Sequence, residues 1–255
     1  MLSLQGIEVC RENRVILALE QLQIAADQFT VILGHNGSGK STLLNLIARQ
    51  ITADSGHIEL LGRPLKGYRQ REFAQRVAFL PQNLPTVAGL TVRELVRLGR
   101  FPWRGLLGRL QAEDHRIVAR ALEQTDSADY ADHLVDSLSG GERQRAWIAM
   151  LLAQQSPLVL LDEPTSALDL AHQYELMALL GALKRDTNLG IVAILHDVNL
   201  TTRYADRIIA LKQGRVFFDG TPAQLLSSAL LSELYDIDID LLDQPGKAHP
   251  IAVVR

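Results

Sequence analysis

The segment 29–48 constrains the fold of this chain more than any other. FTVIL (Phe29–Leu33) is a short β-rich run that stops at the glycine-rich loop GHNGSGKS (34–41), and TLLNLIA (42–48) then reads as a helix. An uninterrupted apolar run of this length is the pattern of a buried parallel strand, which needs other strands beside it and helices on its faces. The loop fits G-x-x-x-x-G-K-[ST]. Glycines at these places let the backbone N–H groups of Gly34, His35, Asn36, Gly37, Ser38 and Gly39 wrap phosphate oxygens, with the positive end of the following helix behind them. Lys40 is placed to reach the β and γ phosphates of a nucleoside triphosphate, and the Ser41 hydroxyl to hold Mg²⁺. Thr42 completes the phosphate-binding set in the first turn of the helix.

The rest of the chain alternates strand and helix, which predicts a mostly parallel sheet. Residues 1–33 read as strands with a turn at Glu12 and Asn13, and further strands fall at 57–61, Val77–Leu80, Leu158–Leu161 and 191–195. A helix is expected from about 170 to 185. From about 91 to 152 the character is helical: Thr91 and Glu94 have capping-box spacing, and 113–124 is again helix. Between them GRFPWRGLLGRL (99–110), with three glycines and a proline, reads as a loop or irregular insert. The expected architecture is an α/β core over 1–82 and 158–225 with strands at its N-terminal end. A helical subdomain over 83–157 is inserted into it, and 226–255 form a C-terminal extension whose role the pattern does not reveal.

Composition narrows the function classes. Lys and Arg total 26 against 29 Asp and Glu, a net charge of -3, whereas a chain built to grip DNA or RNA carries the opposite balance. No nucleic-acid partner is expected. The single cysteine, Cys10, cannot form an internal disulfide, which suits a reducing compartment. Apolar runs such as 147–153 and 157–161 fall well short of the roughly 18 residues a membrane span needs. MLSLQGIEVCRENR lacks the shape of a signal peptide. The chain is therefore expected in the cytosol, meeting a membrane only through a partner.

Two further segments carry chemistry. LVLL (Leu158–Leu161) delivers Asp162 and Glu163 to the end of a buried strand. Asp162 there can hold Mg²⁺, and Glu163 beside it can polarise an attacking water as general base. LSGGERQ (138–144) opens a helix at 142–152, so Ser139, Gly140 and Gly141 offer a second anion-binding helix N-terminus. One nucleoside triphosphate rarely needs two such loops from one chain. The simplest use is a site that takes one loop from each of two subunits. His196 ends the strand 191–195, which places it for function. His35, His57, His115, His133, His172 and His249 read as surface or packing residues, with no pair at metal-ligand spacing.

The phosphate loop, LSGGERQ, LLDEPTSALD (160–169) and His196 together resemble the nucleotide-binding subunits of ATP-binding-cassette (ABC) transporters, over residues 2 to at least 225. The resemblance implies a P-loop NTPase (RecA-like) core with an N-terminal antiparallel β subdomain and an inserted helical subdomain. It implies a homodimer that hydrolyses ATP with Mg²⁺ on the cytoplasmic face of the inner membrane, bound to integral-membrane permease subunits and served indirectly by a substrate-binding protein. It also places Gln82 at a loop that touches Mg²⁺ and the permease, Ser166–Asp169 (SALD) at a loop crossing the dimer interface, and His196 at the γ-phosphate.

TVREL (91–95), GRFPW (99–103) and VDSLSGGERQRAW (135–147) are similar to the ATPases of iron–siderophore importers, nearest to the iron(III)-hydroxamate (ferrichrome) type; vitamin B12 and haem importers share the architecture. One stretch departs from the pattern. The family places an aromatic residue against adenine near the end of the first strand, and VCREN (9–13) has none, which leaves the Arg11 guanidinium as the flat group available to the base. Other cassette ATPases fit less well. Ribosome-associated ones carry two cassettes, and DNA-repair ones separate their motif halves by a long coiled coil; here Lys40 and Ser139 lie about a hundred residues apart with no heptad run between them. A nucleotide-gated regulator without turnover would lack a catalytic group, and both Glu163 and His196 are present.

Overall fold

The computed structural model describes residues 1–105, 108–244 and 250–255, and it divides into two compact units, Met1–Gly67 with Leu183–Arg255, and Tyr68–Ala182. The division at residue 182 falls inside the helix Leu170–Thr187. Leu106 and Leu107 of the expected insert, and 245–249 of the extension including His249, lie outside the described residues.

In the first unit the alternating apolar residues of the N-terminal segment build an antiparallel sheet. Leu2–Arg11 pairs with Arg14–Ile24 on one side and with Ser55–Leu60 on the other, with Arg63–Pro64 at the far edge. The register sets buried residues opposite one another, Leu2 to Ile24, Leu4 to Leu22, Ile7 to Leu19 and Val9 to Leu17. That match fixes the pairing, because a slip by one residue would turn every apolar side chain to water. The expected turn is a two-residue hairpin loop in which Glu12 and Asn13 both have positive φ, 49° and 60°, the twist that suits antiparallel strands.

The second sheet of this unit carries Phe29–Leu33, buried along its whole length, between the parallel strands Gly190–Ile194 and Arg207–Lys212. Arg215–Gly220 runs antiparallel at the edge beyond Arg207–Lys212. The helix Lys40–Ile47 presses Leu43, Leu44, Leu46 and Ile47 inward. After the sheet the chain forms the helix Ser228–Tyr235 and a hairpin of Ile239–Leu242 with Ile251–Val254.

In the second unit Val77–Leu80 and Leu158–Leu161 pair in parallel. Thr91 and Glu94 form the anticipated capping box, with the Glu94 N–H on Thr91 Oγ1 at 3.2 Å and the Thr91 N–H on Glu94 Oε2 at 2.8 Å. The insert expected as loop over 99–110 is corrected in part: Phe101–Arg104 is one turn of helix with Pro102 at its start, where the missing N–H costs nothing. Distant groups stabilise this turn, with Arg71 donating to the carbonyls of Pro102 (2.6 Å) and Trp103 (2.5 Å) and Trp103 Nε1 donating to Gln154 O (2.7 Å).

The helical block is pinned by a buried ionic cluster. The wholly buried Asp114 accepts from Arg100 Nε at 2.9 Å, Arg104 Nε at 2.6 Å and the Gln111 N–H at 2.8 Å. Arg100 also donates to Ala153 O at 2.7 Å. Burial pushes the Asp114 carboxyl upward, but the Gln111 N–H and the guanidinium groups of Arg104 and Arg100 outweigh it and hold it at about 2. A carboxylate depressed below its ordinary 3.8 stabilises the fold above that value and loses the contribution as pH falls toward 2. Asp114→Ala should cost about 3–5 kcal/mol by stranding the buried Arg100 guanidinium. Thermal unfolding at neutral pH should show a midpoint lower by roughly 10 °C, and the wild-type advantage should shrink between pH 4 and pH 2; an unchanged midpoint would show that the cluster does not stabilise the block.

Candidate functional site

In the first unit the phosphate loop leaves the end of Phe29–Leu33 as the motif requires. Gly34, Gly37 and Gly39 have φ of 142°, 78° and 99°. Gly34 is also boxed in, since a Cβ there would stand 2.3 Å from Leu211 O. The Ser38 carbonyl accepts from the Gly214 N–H at 3.1 Å, which fixes the middle of the loop. Ser38 Oγ is buried without a hydrogen-bond partner. Lys40 is almost wholly buried, and its Nζ donates to Gly34 O at 2.8 Å and His35 O at 3.0 Å, so the ammonium lies over the loop's own carbonyls. Ser41 and Thr42 follow in the first helical turn, which holds no acidic residue, so its positive end is uncompensated from within the helix.

His196 stands on the same edge. Ile32 pairs with Ile194 in parallel register, so Gly34 and His196 each lie two residues past paired positions at the carboxyl ends of adjacent strands. Ligands of open α/β sheets bind along that edge. Arg11 closes the first strand, where its guanidinium donates to Cys10 O at 2.8 Å and approaches Asp54 to 4.0 Å.

The second unit joins Gln82 to Glu163. Gln82 Nε2 donates to Glu163 Oε2 at 2.7 Å across 81 residues of sequence, because Leu80 and Leu161 are paired and the Asp162 N–H donates to Leu80 O at 2.9 Å. Asp162 is nearly buried, and Glu163 has φ 50°, a left-handed backbone that a glutamate rarely adopts. Such strain persists only where surrounding contacts impose it; here the Glu163 carbonyl is held by the N–H and hydroxyl of Ser166, at 3.2 and 3.0 Å.

Ser139 caps the helix Gly140–Gln154, and its hydroxyl lies 2.7 Å from Glu142 Oε2. That bond, with the one from the Ser139 N–H, holds the Glu142 carboxyl below its ordinary value. The helix end therefore already carries a carboxylate of its own. Against Gly141 lies the ring of His172, 3.0 Å from where a Cβ would stand. Asp169 accepts from both the N–H and Nδ1 of His172, at 3.0 and 2.7 Å, and these bonds lower its pKa. Sequence reasoning treats His172 as a surface residue. The only signal for it is the Asp-x-x-His spacing at a helix start, while its contact with Gly141 spans 31 residues and is visible only in the fold. A cavity of about 500 Å³ in the first unit, floored by Leu46, Ile51, Ile58 and Leu65, contains none of the loop residues 34–41.

Comparison with known proteins agrees with these motifs. The family model described as ABC transporter matches residues 19–166. The ferric enterobactin transport ATP-binding protein FepC of Escherichia coli is 41% identical over 91% of this chain and 86% of its own length. The iron(3+)-hydroxamate import ATP-binding protein FhuC of Bacillus subtilis is 39% identical over 99% of this chain and 94% of its own. Among solved structures, the dimeric MJ0796, a bacterial ABC transporter cassette, superposes with a TM-score of 0.75 at 29% identity, over 87% of this chain and 99% of that one.

The two loop glycines should respond differently to substitution. Gly34→Ala forces the loop or Leu211 to move and should lower the thermal midpoint more than Gly37→Ala, whose added methyl meets nothing within 4 Å and costs only the left-handed backbone, about 1–2 kcal/mol. Equal midpoints for the two variants would contradict the boxed-in geometry at Gly34.

Proposed function

The chain belongs to the ABC transporter family, and we propose that within it this protein is the ATP-hydrolysing subunit that powers import of an iron(III)-siderophore of hydroxamate type across the inner membrane. The observation that carries the reading is near-full-length similarity to siderophore-import ATP-binding proteins in a chain with both phosphate-type loops and the Glu163 carboxylate. No described helix is long and apolar enough to cross a membrane; in the proposed reading the transport path belongs to permease subunits that this chain docks on. A substrate-binding protein delivers the cargo to them.

The roles follow from the chemistry of each group. The N–H groups of Gly34–Gly39 and the Lys40 ammonium neutralise the triphosphate of ATP, and Lys40 exchanges the loop carbonyls it now contacts for phosphate oxygens. The donor set fits Mg²⁺: the Ser41 hydroxyl, the Gln82 amide oxygen and the Asp162 carboxylate are hard oxygen ligands. When bound, the ion offsets the charge of the phosphates. Glu163 accepts the proton of the attacking water, and the Gln82 bond orients its carboxylate. His196 contacts the γ-phosphate from the strand next to the loop. Arg11 stacks on adenine, a contact of about 0.5–2 kcal/mol, while Ile16, whose carbonyl lies 3.1 Å from a Cβ placed on Gly39, borders the loop.

The helix end at Ser139, Gly140 and Gly141 serves the nucleotide of a second copy, so the working unit is a homodimer with two shared sites. Ser139 must then turn from Glu142 toward phosphate. The helical block 83–157, with Phe101 and Trp103 exposed, faces the permease.

Deleting the gene should abolish uptake of labelled ferric hydroxamate. Lys40→Ala should fail to restore it, and Glu163→Gln should bind ATP yet hydrolyse it about 10²–10⁴-fold more slowly, the usual loss of a general base. Intact hydroxamate uptake with lost haem or vitamin B12 uptake would move the subunit to a sister importer, and near-normal turnover of Glu163→Gln would remove Glu163 from its role.

A further inference from the structure

The C-terminal extension lands on the segment that follows His196. Asp197 is the N-cap of the helix Val198–Tyr204: its Oδ1 accepts from the Leu200 N–H at 2.8 Å and its carbonyl from the Thr201 hydroxyl at 2.7 Å. Asn199 lies in the first turn. Its Nδ2 donates to Ala252 O at 3.0 Å and its Oδ1 accepts from the Ala252 N–H at 2.8 Å. Ala252 lies on the strand Ile251–Val254, opposite Leu241 of Ile239–Leu242. A side-chain amide has the donor and acceptor of a peptide group, so Asn199 stands in for one residue of a third strand at the hairpin edge.

The hairpin is itself anchored. The Arg255 guanidinium bridges both carboxylate oxygens of Asp240 at 2.9 and 2.8 Å, and the Ile239 N–H donates to Ser232 Oγ at 2.9 Å. Ser232 belongs to the helix Ser228–Tyr235, whose Leu231 and Leu234 are fully buried. Lys212 Nζ ties Asp236 at 2.7 Å to the end of Arg207–Lys212, the strand beside Phe29–Leu33. The Tyr235 hydroxyl on the same helix is buried without a hydrogen-bond partner, and burial with the nearby Asp197 charge pushes it up to about 12. The extension thus holds the residue three places beyond His196 and ties it to the sheet that carries the phosphate loop.

We propose that Asn199 is a positioning residue for His196, and that the helix Ser228–Tyr235 with the hairpin of Ile239–Leu242 and Ile251–Val254 forms a strap whose backbone at Ala252 fixes the first turn of Val198–Tyr204 and with it the imidazole that meets the γ-phosphate. The proposal rests on the role given to His196 under the proposed function. The strap leaves the phosphate loop alone, so its loss reduces turnover and spares nucleotide binding.

The test is a double-mutant cycle on the full-length chain, with kcat and KM for Mg-ATP, ATP affinity and thermal midpoint measured for each variant. Asn199→Leu, which keeps the side-chain size and removes both hydrogen bonds, should lower kcat about 10- to 100-fold, the range for groups that orient an active-site side chain. ATP affinity should stay within about twofold. Asn199→Asp keeps the acceptor for the Ala252 N–H and should fall between Leu and wild type, which also covers the case in which the leucine variant does not fold. In a His196→Ala background Asn199→Leu should cause no further loss of kcat, because Asn199 acts through the imidazole. If His196→Ala is slow and Asn199→Leu keeps wild-type kcat, or multiplies its loss with that of His196→Ala, the strap proposal alone is overturned. If His196→Ala turns over normally, the role of His196 falls and the strap proposal with it.

Discussion

The close approach of Gly34 to Leu211 is the contact on which the rest of this structure depends. A buried strand, Phe29–Leu33, delivers its chain end to a place where only hydrogen fits, and the backbone then turns through three glycines of positive φ. That turn lays the backbone of 34–39 along the carboxyl edge of the sheet and sets the uncompensated start of Lys40–Ile47 directly after it. A cradle made of backbone donors needs a rigid support. It has one in the parallel strands on either side and in the Gly214 N–H on the Ser38 carbonyl. Without the close packing at Gly34 the sheet would still form, but its carboxyl edge would present an ordinary loop.

The second unit solves a different problem, holding charged and polar groups in fixed directions. Asp162 and Glu163 follow a strand that is buried throughout, and the left-handed backbone at Glu163, which costs about 1–2 kcal/mol, turns its side chain to meet Gln82. Further along, Glu142 holds Ser139 and His172 holds Asp169, so each polar residue of these loops already has a partner. Lys40 thus lies on its own loop's carbonyls and Ser139 on the Glu142 carboxylate, the partners that the proposed function has each exchange for phosphate oxygens.

What the sequence made legible was local. The strand before the loop, the helix after it, the capping box at Thr91, the helix start at Ser139 and the hairpin turn at Glu12 and Asn13 each rest on residues within a few positions of one another. What stayed hidden depends on contacts between distant residues. The helical turn Phe101–Arg104 sits among glycines and exists because Arg71 and Gln154 hold its ends. His172 gains its place from Gly141, and the terminal hairpin gains its place from Asn199, 53 residues away. The family resemblance named Gln82 and the strand-end carboxylate pattern named Glu163, but the 2.7 Å bond between them follows from the pairing of Leu80 with Leu161. Arg11, expected against the base, has its guanidinium on Cys10 O and near Asp54, so a contact with adenine requires it to leave both.

In the proposed homodimer the loops at 34–41 and 139–141 serve one nucleotide from two different chains. This sharing is tested most directly by mixing two inactive proteins, one carrying Lys40→Ala and the other Ser139→Arg. Each pairs with itself into a dimer in which both shared sites are broken. A mixed dimer has one doubly broken site and one with an intact phosphate loop facing an intact Ser139. If the loops act across a two-fold interface, random mixing should restore ATP hydrolysis to about a quarter of the wild-type rate. Hydrolysis no greater than the sum of the two separate proteins, in a mixture shown to contain mixed dimers, would contradict the shared-site account.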